Sequence, residues 1–192
     1  SIASSDGAGM ANSTRGIFLL GFAPPDADDE TLEYITIASV GNTTDFGDLT
    51  VPRSTCSQGA SSPTRALIGG GISPSEQNVI DYVEFATIGN ATDFGNLSAA
   101  KRAVGATSSS TRAVFGGGLI SPAKQNVIEY VTIASTGDVT DFGDLTAART
   151  QLGSTSNSVR GIWGGGRDLS DVIDYVTIAS TGDAADFGDL TA

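Results

Sequence analysis

Histidine is absent from this chain, and cysteine, tryptophan and methionine occur once each. Without histidine, the usual proton shuttle and the usual imidazole ligand of zinc and iron sites are gone. Cys56 alone closes no internal disulfide, so the fold is not stapled by one. Positive charge is scarce as well. Ten Lys and Arg stand against 22 Asp and Glu, for a net charge of −12, and the lysines are Lys101 and Lys124. A surface of that sign repels nucleic acid and anionic membranes, which argues against both as partners. Apolar runs such as Gly16 to Gly21 are far shorter than the roughly 20 residues that span a bilayer, so no membrane insertion is expected. No signal-peptide pattern opens the chain, and a start at Ser reads as a processed product or a segment of a longer protein.

What the sequence has in quantity is itself. Thr44-Asp45-Phe46-Gly47-Asp48-Leu49-Thr50 returns at 92–98, 140–146 and 185–191, spaced by 48, 48 and 45 residues. Self-similarity at such a period marks a propeller or a solenoid. The 192 residues divide into repeats 1–50, 51–98, 99–146 and 147–192 of a single domain. Each repeat holds four short β-branched or aromatic runs bounded by Gly, Asp, Asn and Ser, which read as strands, and none carries a capped helical pattern. The fold class expected is all-β: a β-propeller of four-stranded antiparallel blades, either four-bladed or part of a larger propeller.

Spacing separates what the repeat fixes from what it leaves free. Tyr34, Tyr82, Tyr130 and Tyr175 each precede Phe46, Phe94, Phe142 and Phe187 by twelve residues, across a Gly-Asn or Gly-Asp pair suited to a hairpin turn. From Arg15, Arg65, Arg112 and Arg160 to the same tyrosines the interval is 19, 17, 18 and 15 residues. The excess lies between the second and third strands, where length and chemistry both change. Repeats that vary on one face carry recognition there. The candidate contact residues are therefore Asp26, Asp28, Asp29, Glu30, Glu76, Gln77, Lys124, Gln125, Arg167 and Asp168.

Consecutive apolar residues in the second strand (Leu67-Ile68, Val114-Phe115, Ile162-Trp163) predict burial on both faces, as when blades stack. Trp163 aligns with Phe18, Ile68 and Phe115 and is expected in the core. The Gly triplets at 69–71, 116–118 and 164–166 predict a bulge or the close approach of another backbone; unit 1 departs, with Leu19-Leu20-Gly21. Small residues in the first strand predict an inner position near a narrow axis. Closure is expected from apolar contacts between unit 4 and unit 1, against a ring built by two chains or by a longer propeller.

Groups present in every unit read first as parts of the repeat. Each of the four arginines is expected to form a bidentate pair with an Asp of its own or the neighbouring blade, locking the two. Asp45/Asp48, Asp141/Asp144 and Asp186/Asp189 offer oxygen ligands to calcium, against a reading in which one caps a turn and the other is solvated. No other cofactor is indicated. Asp-Phe-Gly without a kinase's other motifs is not a phosphoryl-transfer site, and the Gly triplets lack the ending of a phosphate loop. No catalytic residue stands out. Two acids suffice for a glycoside hydrolase, but nothing sets one carboxylate pair apart from its equivalents.

The order Arg149, Ile162-Trp163-Gly164-Gly165, Tyr175, Phe187, Leu190 resembles the kelch-type β-propeller repeat, with Phe where many kelch repeats have Trp. The likeness runs along the whole chain. The phrase Tyr-Val-Thr-Ile-Ala-Ser-Thr-Gly-Asp with Asp-Phe-Gly-Asp-Leu-Thr is also similar to repeats in structural proteins of tailed, notably marine, bacteriophages. That second resemblance implies a virion component of a tail, neck or fibre, located on the particle or outside the cell. The function expected is a non-enzymatic structural and interaction module. Its partners would be other structural proteins or further copies of itself. A receptor- or cell-surface-glycan-binding adhesin is the alternative, and a glycoside hydrolase comes third.

Overall fold

The β-branched runs of the repeat become strands, but the hairpin between third and fourth strands turns ahead of its Gly-Asn or Gly-Asp pair. Ser39, Thr87, Ser135 and Ser180 donate to Thr36, Glu84, Thr132 and Thr177, and the pair follows outside the turn. The computed structural model describes residues 6–23, 27–168 and 170–191. Blade 1 comprises β1 (Ala8–Ala11), β2 (Arg15–Ala23), β3 (Ala27–Thr36) and β4 (Thr44–Asp48). Blade 2 comprises β5 (Ala60–Ser61), β6 (Arg65–Gly69), β7 (Val79–Glu84) and β8 (Thr92–Asn96). Blade 3 comprises β9 (Gly105–Ser108), β10 (Arg112–Gly116), the short β11 (Leu119–Ile120), β12 (Ala123–Thr132) and β13 (Thr140–Arg149). Blade 4 comprises β14 (Gly153–Ser156), β15 (Arg160–Gly164), β16 (Val172–Thr177) and β17 (Ala185–Asp189). Within each blade the strands pair antiparallel in sequence order, apart from the added β11 at the edge of β12. The result is an all-β, four-bladed β-propeller.

The Asp-Phe-Gly motif makes a bulge. In each blade the pairing of third and fourth strands slips by one residue, as between Leu32↔Gly47 and Glu33↔Asp45, leaving Phe46 as the extra residue. The same slip recurs in the other three blades. A bulge bends the strand and re-aims the side chain. Phe46, Phe94 and Phe142 are buried, and all four motif phenylalanines meet the edge of their blade's tyrosine at 5.7–5.8 Å.

The bulge also builds the junction with the next blade. Amides of the next hairpin, Gly89 and Ala91, donate to the carbonyls of Phe46 and Asp48 at 2.8 and 2.7 Å. Gly137 and Val139 repeat this on Phe94 and Asn96, and Gly182 and Ala184 on Phe142 and Asp144. In return the Oδ1 of Asn90, Asp138 and Asp183 accepts from the amides of Asp48, Asn96 and Asp144. A Cβ on Gly47 or Gly143 would lie 2.5 Å from the main chain of Gly89 or Gly182, and one on Gly95 would collide with Gly137. Glycine is required there for close approach as well as for its positive φ.

Inner strands are joined through serine. Ser154 and Ser156 donate from Oγ to the carbonyls of Ala106 and Ser108 and accept from the same residues' amides, and Ser108 accepts from the Ser61 amide. Small hydroxyl residues thus do two jobs: they leave room near the axis and satisfy main-chain groups that a sheet edge exposes. The Gly triplets work at the other end of the strand. Gly71 and Gly118 donate to Lys101 and Arg149 in the following linker, so another backbone does approach them. Unit 1, with Leu19 and Leu20 in place of the first two glycines, forms a bulge between Leu19 and Gly21 and continues its hairpin out to Ala23↔Ala27.

Between consecutive blades lies an apolar cluster. Ile17, Leu32, Phe46 and Leu49 meet Ala66, Ile68, Val83 and Phe85. Leu67, Ile80, Phe94 and Leu97 meet Ala113, Phe115, Val131 and Ile133. Val114, Ile128, Phe142 and Leu145 meet Trp163, Val176 and Ile178. Trp163 is fully buried, as its alignment implied. The apolar seal expected between unit 4 and unit 1 is not seen among the described residues. Phe187 and Leu190 are each 52% exposed, and across the gap Phe18 and Ile37 are 41% and 51% exposed. Their equivalents at the three formed junctions are all buried, because only there does a neighbouring blade cover them.

Gly95→Ala and Gly188→Ala carry the same conformational penalty, but only the first drives a methyl into a neighbouring blade. We expect Gly95→Ala to be the more destabilising by roughly 2 kcal/mol or more, the range typical of overpacking. Urea unfolding of both variants measures the difference.

Candidate functional site

The second-to-third-strand loops and the linkers between blades occupy one face of the propeller. This follows from the pairing: each linker enters the next inner strand at the end where the second strand finishes. Ser54 bridges to Ile72, and Arg102 to Leu119, tying linker to loop. The opposite face carries the first hairpin turns and the Gly-Asn or Gly-Asp hairpins.

The linkers are held by buried ion pairs. Arg53 Nη1 lies 2.9 Å from Asp81 Oδ2, Lys101 Nζ 2.5 Å from Glu129 Oε1, and Arg149 Nη2 2.5 Å from Asp174 Oδ2. The six side chains are at most 4% exposed. Arg53 and Arg149 also donate to main-chain carbonyls, and the preceding Thr50 and Thr146 hydroxyls donate to the same aspartates. A charge out of water persists only when paired and hydrogen-bonded in this way. Blade 1 differs. Two residues before its left-handed Asp6 the sequence has Ser4, not a cation, and Glu33 accepts from the Thr43 hydroxyl instead.

Past each linker cation the chain turns through a left-handed residue, and blade 1 has an equivalent: Asp6 (φ 58°), Thr55 (50°), Ala103 (53°) and Gln151 (56°). Such conformations cost about 1–3 kcal/mol outside glycine, most for a β-branched residue such as Thr55. Here they turn main-chain groups toward the neighbouring linker: Ala103 N donates to Thr55 O, and Gln151 N to Ala103 O. The four rim an axial recess of about 240 Å³ completed by Gly7, Cys56, Gln58, Val104 and Leu152. Gln58 reaches across the axis to accept from the amide and hydroxyl of Ser154. A contiguous recess adds Arg102, Leu119, Thr150 and Arg167. Its polar chemistry is one carboxylate, amides, hydroxyls and two guanidiniums.

The loop residues singled out from sequence fall into distinct environments. Gln77 folds back to donate to the carbonyls of Ser73 and Ser75, and Gln125 to Ala123, so both shape their own loops. Glu76 lies 3.7 Å from Arg102 of the next linker. Lys124 reaches Asp168 of the next blade's loop at 2.6 Å, with Arg167 3.9 Å from the same carboxylate. The Lys124 ammonium, by hydrogen bond and charge, holds the Asp168 carboxyl below its usual 3.8. The contact is therefore present at neutral pH and is lost as pH falls through the lowered value. Asp29 accepts from the Thr31 amide and Glu30 O from the Leu49 amide, inside strand β3. Asp28 pairs through its main chain with Phe22. Asp26, with Pro24 and Pro25, lies outside the described residues.

The repeated arginines take partners other than the aspartates expected. Each guanidinium stacks on its own blade's tyrosine, 4.4–5.1 Å from the ring centre. Arg15, Arg65 and Arg112 then donate to the carbonyls of Phe85, Ile133 and Ile178 in the next blade, and Arg65 adds a single bond to Glu84 of its own. They lock adjacent blades through carbonyl oxygens rather than carboxylates. Arg160, in blade 4, keeps only the tyrosine among the described residues. No group of three or more Asp, Glu or Cys close enough to hold a metal ion occurs among the described residues. The recess-lining Asp6, Thr55, Ala103 and Gln151 carry no repeat signature, because the four equivalent positions hold four different residue types, and Gln58 lines the recess from outside that set.

No protein-family model matches the chain, and no curated protein matches its sequence. The geometry does find likenesses. The solved structure of YjhT superimposes with a TM-score of 0.78 at 8% identity, over 97% of this chain and 66% of that one. The shared feature is the propeller fold. This chain thus spans just under two thirds of YjhT's length, and what it shares with that protein at such identity is the fold alone.

Removing one partner of a buried pair leaves a bare charge. Asp174→Asn or Arg149→Met is expected to cost about 3–5 kcal/mol in urea unfolding, whereas Arg149→Met with Asp174→Leu recovers most of it. Lys124→Ala, at a solvated pair, is expected to leave the urea midpoint nearly unchanged.

Proposed function

We propose that this chain is a non-enzymatic structural and interaction module that uses its linker-and-loop face for protein contacts, as a component of a tailed-phage particle. One observation carries the first half of this reading. The charged and aromatic groups common to the repeats are engaged within blades or between them, while variation among units is concentrated in the loops of a single face. Cation, stacked tyrosine, buried ion pair and bulged phenylalanine are all structural. Loops of differing length and charge around a shared recess suit a surface selected for contact. The virion assignment rests on the phage-like repeat phrase and on the acidic composition that keeps an exposed module soluble.

A second reading has its own support. The axial recess offers amides, hydroxyls, guanidiniums and one carboxylate, the donor and acceptor mixture that recognises sugar hydroxyls, which suits an adhesin binding a cell-surface glycan. The same recess weakens the hydrolase reading. Among the described residues Asp6 is the only carboxylate lining it, and glycoside cleavage needs two acids flanking the bond.

Mass spectrometry of density-purified particles should recover the chain at fixed stoichiometry; its confinement to the soluble fraction would count against the virion role. A variant with alanine at Glu76, Gln77, Lys124, Gln125, Arg167 and Asp168 should keep its melting temperature within a few degrees while losing capture of particle proteins. Retained capture would move the contact surface elsewhere, and loss of saturable binding to host-cell glycans instead would favour the adhesin.

A further inference from the structure

The two ends of the blade array are complementary halves of a junction that the chain already forms three times. Blade 4 presents Ile162, Ile173, Phe187 and Leu190, the counterparts of Leu67, Ile80, Phe94 and Leu97 that blade 2 buries against blade 3. All four are only partly buried or exposed. Blade 1 presents Phe18, Ile35 and Ile37, the counterparts of Phe115, Val131 and Ile133 that receive such a plug. These are likewise uncovered.

The polar fittings match as well. At each formed junction a hairpin glycine amide and the amide two residues later donate to the outer strand, and the Asn or Asp between them accepts. Blade 1 holds that donor and acceptor set in Gly41, Asn42 and Thr43, and blade 4 holds the receiving set in Phe187 and Asp189. Arg160 lacks the next-blade carbonyl that Arg15, Arg65 and Arg112 each reach, and Ile37 O is the equivalent carbonyl. Thr191 stands where Thr50 and Thr146 donate to an acid of the next blade, and Glu33 is the equivalent acid. A Cβ on Gly188 meets nothing within 4 Å, while on Gly47, Gly95 and Gly143 it would strike the next hairpin.

We propose that blade 4 of one chain docks on blade 1 of a second copy, reproducing the internal junction between molecules. The occupant follows from continuity: the blade 4 face matches the face to which the same repeat already binds three times within the chain. The contact is heterologous, so it builds a closed ring if the rotation permits and a filament if it does not. The docked pair would carry the same apolar plug, main-chain bonds and arginine–carbonyl bond as the junctions within the chain, and the hydroxyl–carboxylate bond of the first and third.

The test uses the chain with Leu190→Asp and, separately, Ile37→Asp, both at exposed positions. Native mass spectrometry near 0.15 M ionic strength should show wild type as a multimer of the 19.4 kDa chain and each variant as a folded single chain. Mixing the two variants, one isotope-labelled, should restore a mixed dimer, because one intact junction remains. Circular dichroism matching wild type shows that the variants are folded, and Arg160→Ala gives a milder check, with at least tenfold weaker association. Wild type remaining single at about 100 µM overturns the proposal and leaves the faces to further blades of a longer polypeptide. A multimer indifferent to both substitutions, or variants that fail to complement, overturns it equally.

Discussion

The bulged Asp-Phe-Gly strand, clasped by the hairpin of the next blade, is the contact on which this structure depends. One extra residue bends the outer strand, turns phenylalanine inward onto tyrosine, and leaves a glycine where nothing larger fits. The next hairpin can then lie close enough to exchange main-chain hydrogen bonds. Arginine, stacked on the same tyrosine, closes the junction from the other side. Each fitting contributes modestly, on the order of 1 kcal/mol per hydrogen bond. Together with a buried apolar cluster, they make neighbouring blades one cooperative unit, as expected when each repeat contacts only its neighbours.

The linkers solve a second problem. A chain crossing from the outer strand of one blade to the inner strand of the next must pass over the core with its polar groups satisfied. Arg53, Lys101 and Arg149 meet this need by diving under the surface to an acid on the next blade, and the two arginines bind carbonyls on the way. The left-handed residues that follow concentrate backbone strain around the axial recess. These residues lie on the same face as the loops that vary between units.

Sequence periodicity made the blade count, the strand order, the hairpins and the doubly buried second strand of blades 2 and 3 legible, because hydrophobic and turn residues recur at fixed offsets. Ile162 and Phe18 depart because no blade covers them. Other features had no such signature. Arginine partners were misread because a carbonyl oxygen belongs to every residue and so leaves no mark in the sequence, whereas aspartates invite pairing. The linker ion pairs recur, yet Lys101 with Glu129 replaces the Arg–Asp combination of Arg53 and Arg149, which blurs the pattern. Asp6, Thr55, Ala103 and Gln151 share a conformation that four unlike side chains do not announce. The uncovered face of blade 4 was hidden for a different reason: Phe187 and Leu190 match their counterparts in type, and only the absence of a neighbour distinguishes them.

The most direct test of the junction is site-resolved amide hydrogen exchange on dilute single chains. Gly89, Ala91, Gly137, Val139, Gly182 and Ala184 should be strongly protected, since each donates across a formed junction. Gly41 and Thr43, the same positions in blade 1, should exchange freely and gain protection only as concentration drives assembly. Equal protection of Gly41 and Thr43 in single chains would mean that blade 4 closes on blade 1 within the molecule, which contradicts an array with two uncovered ends.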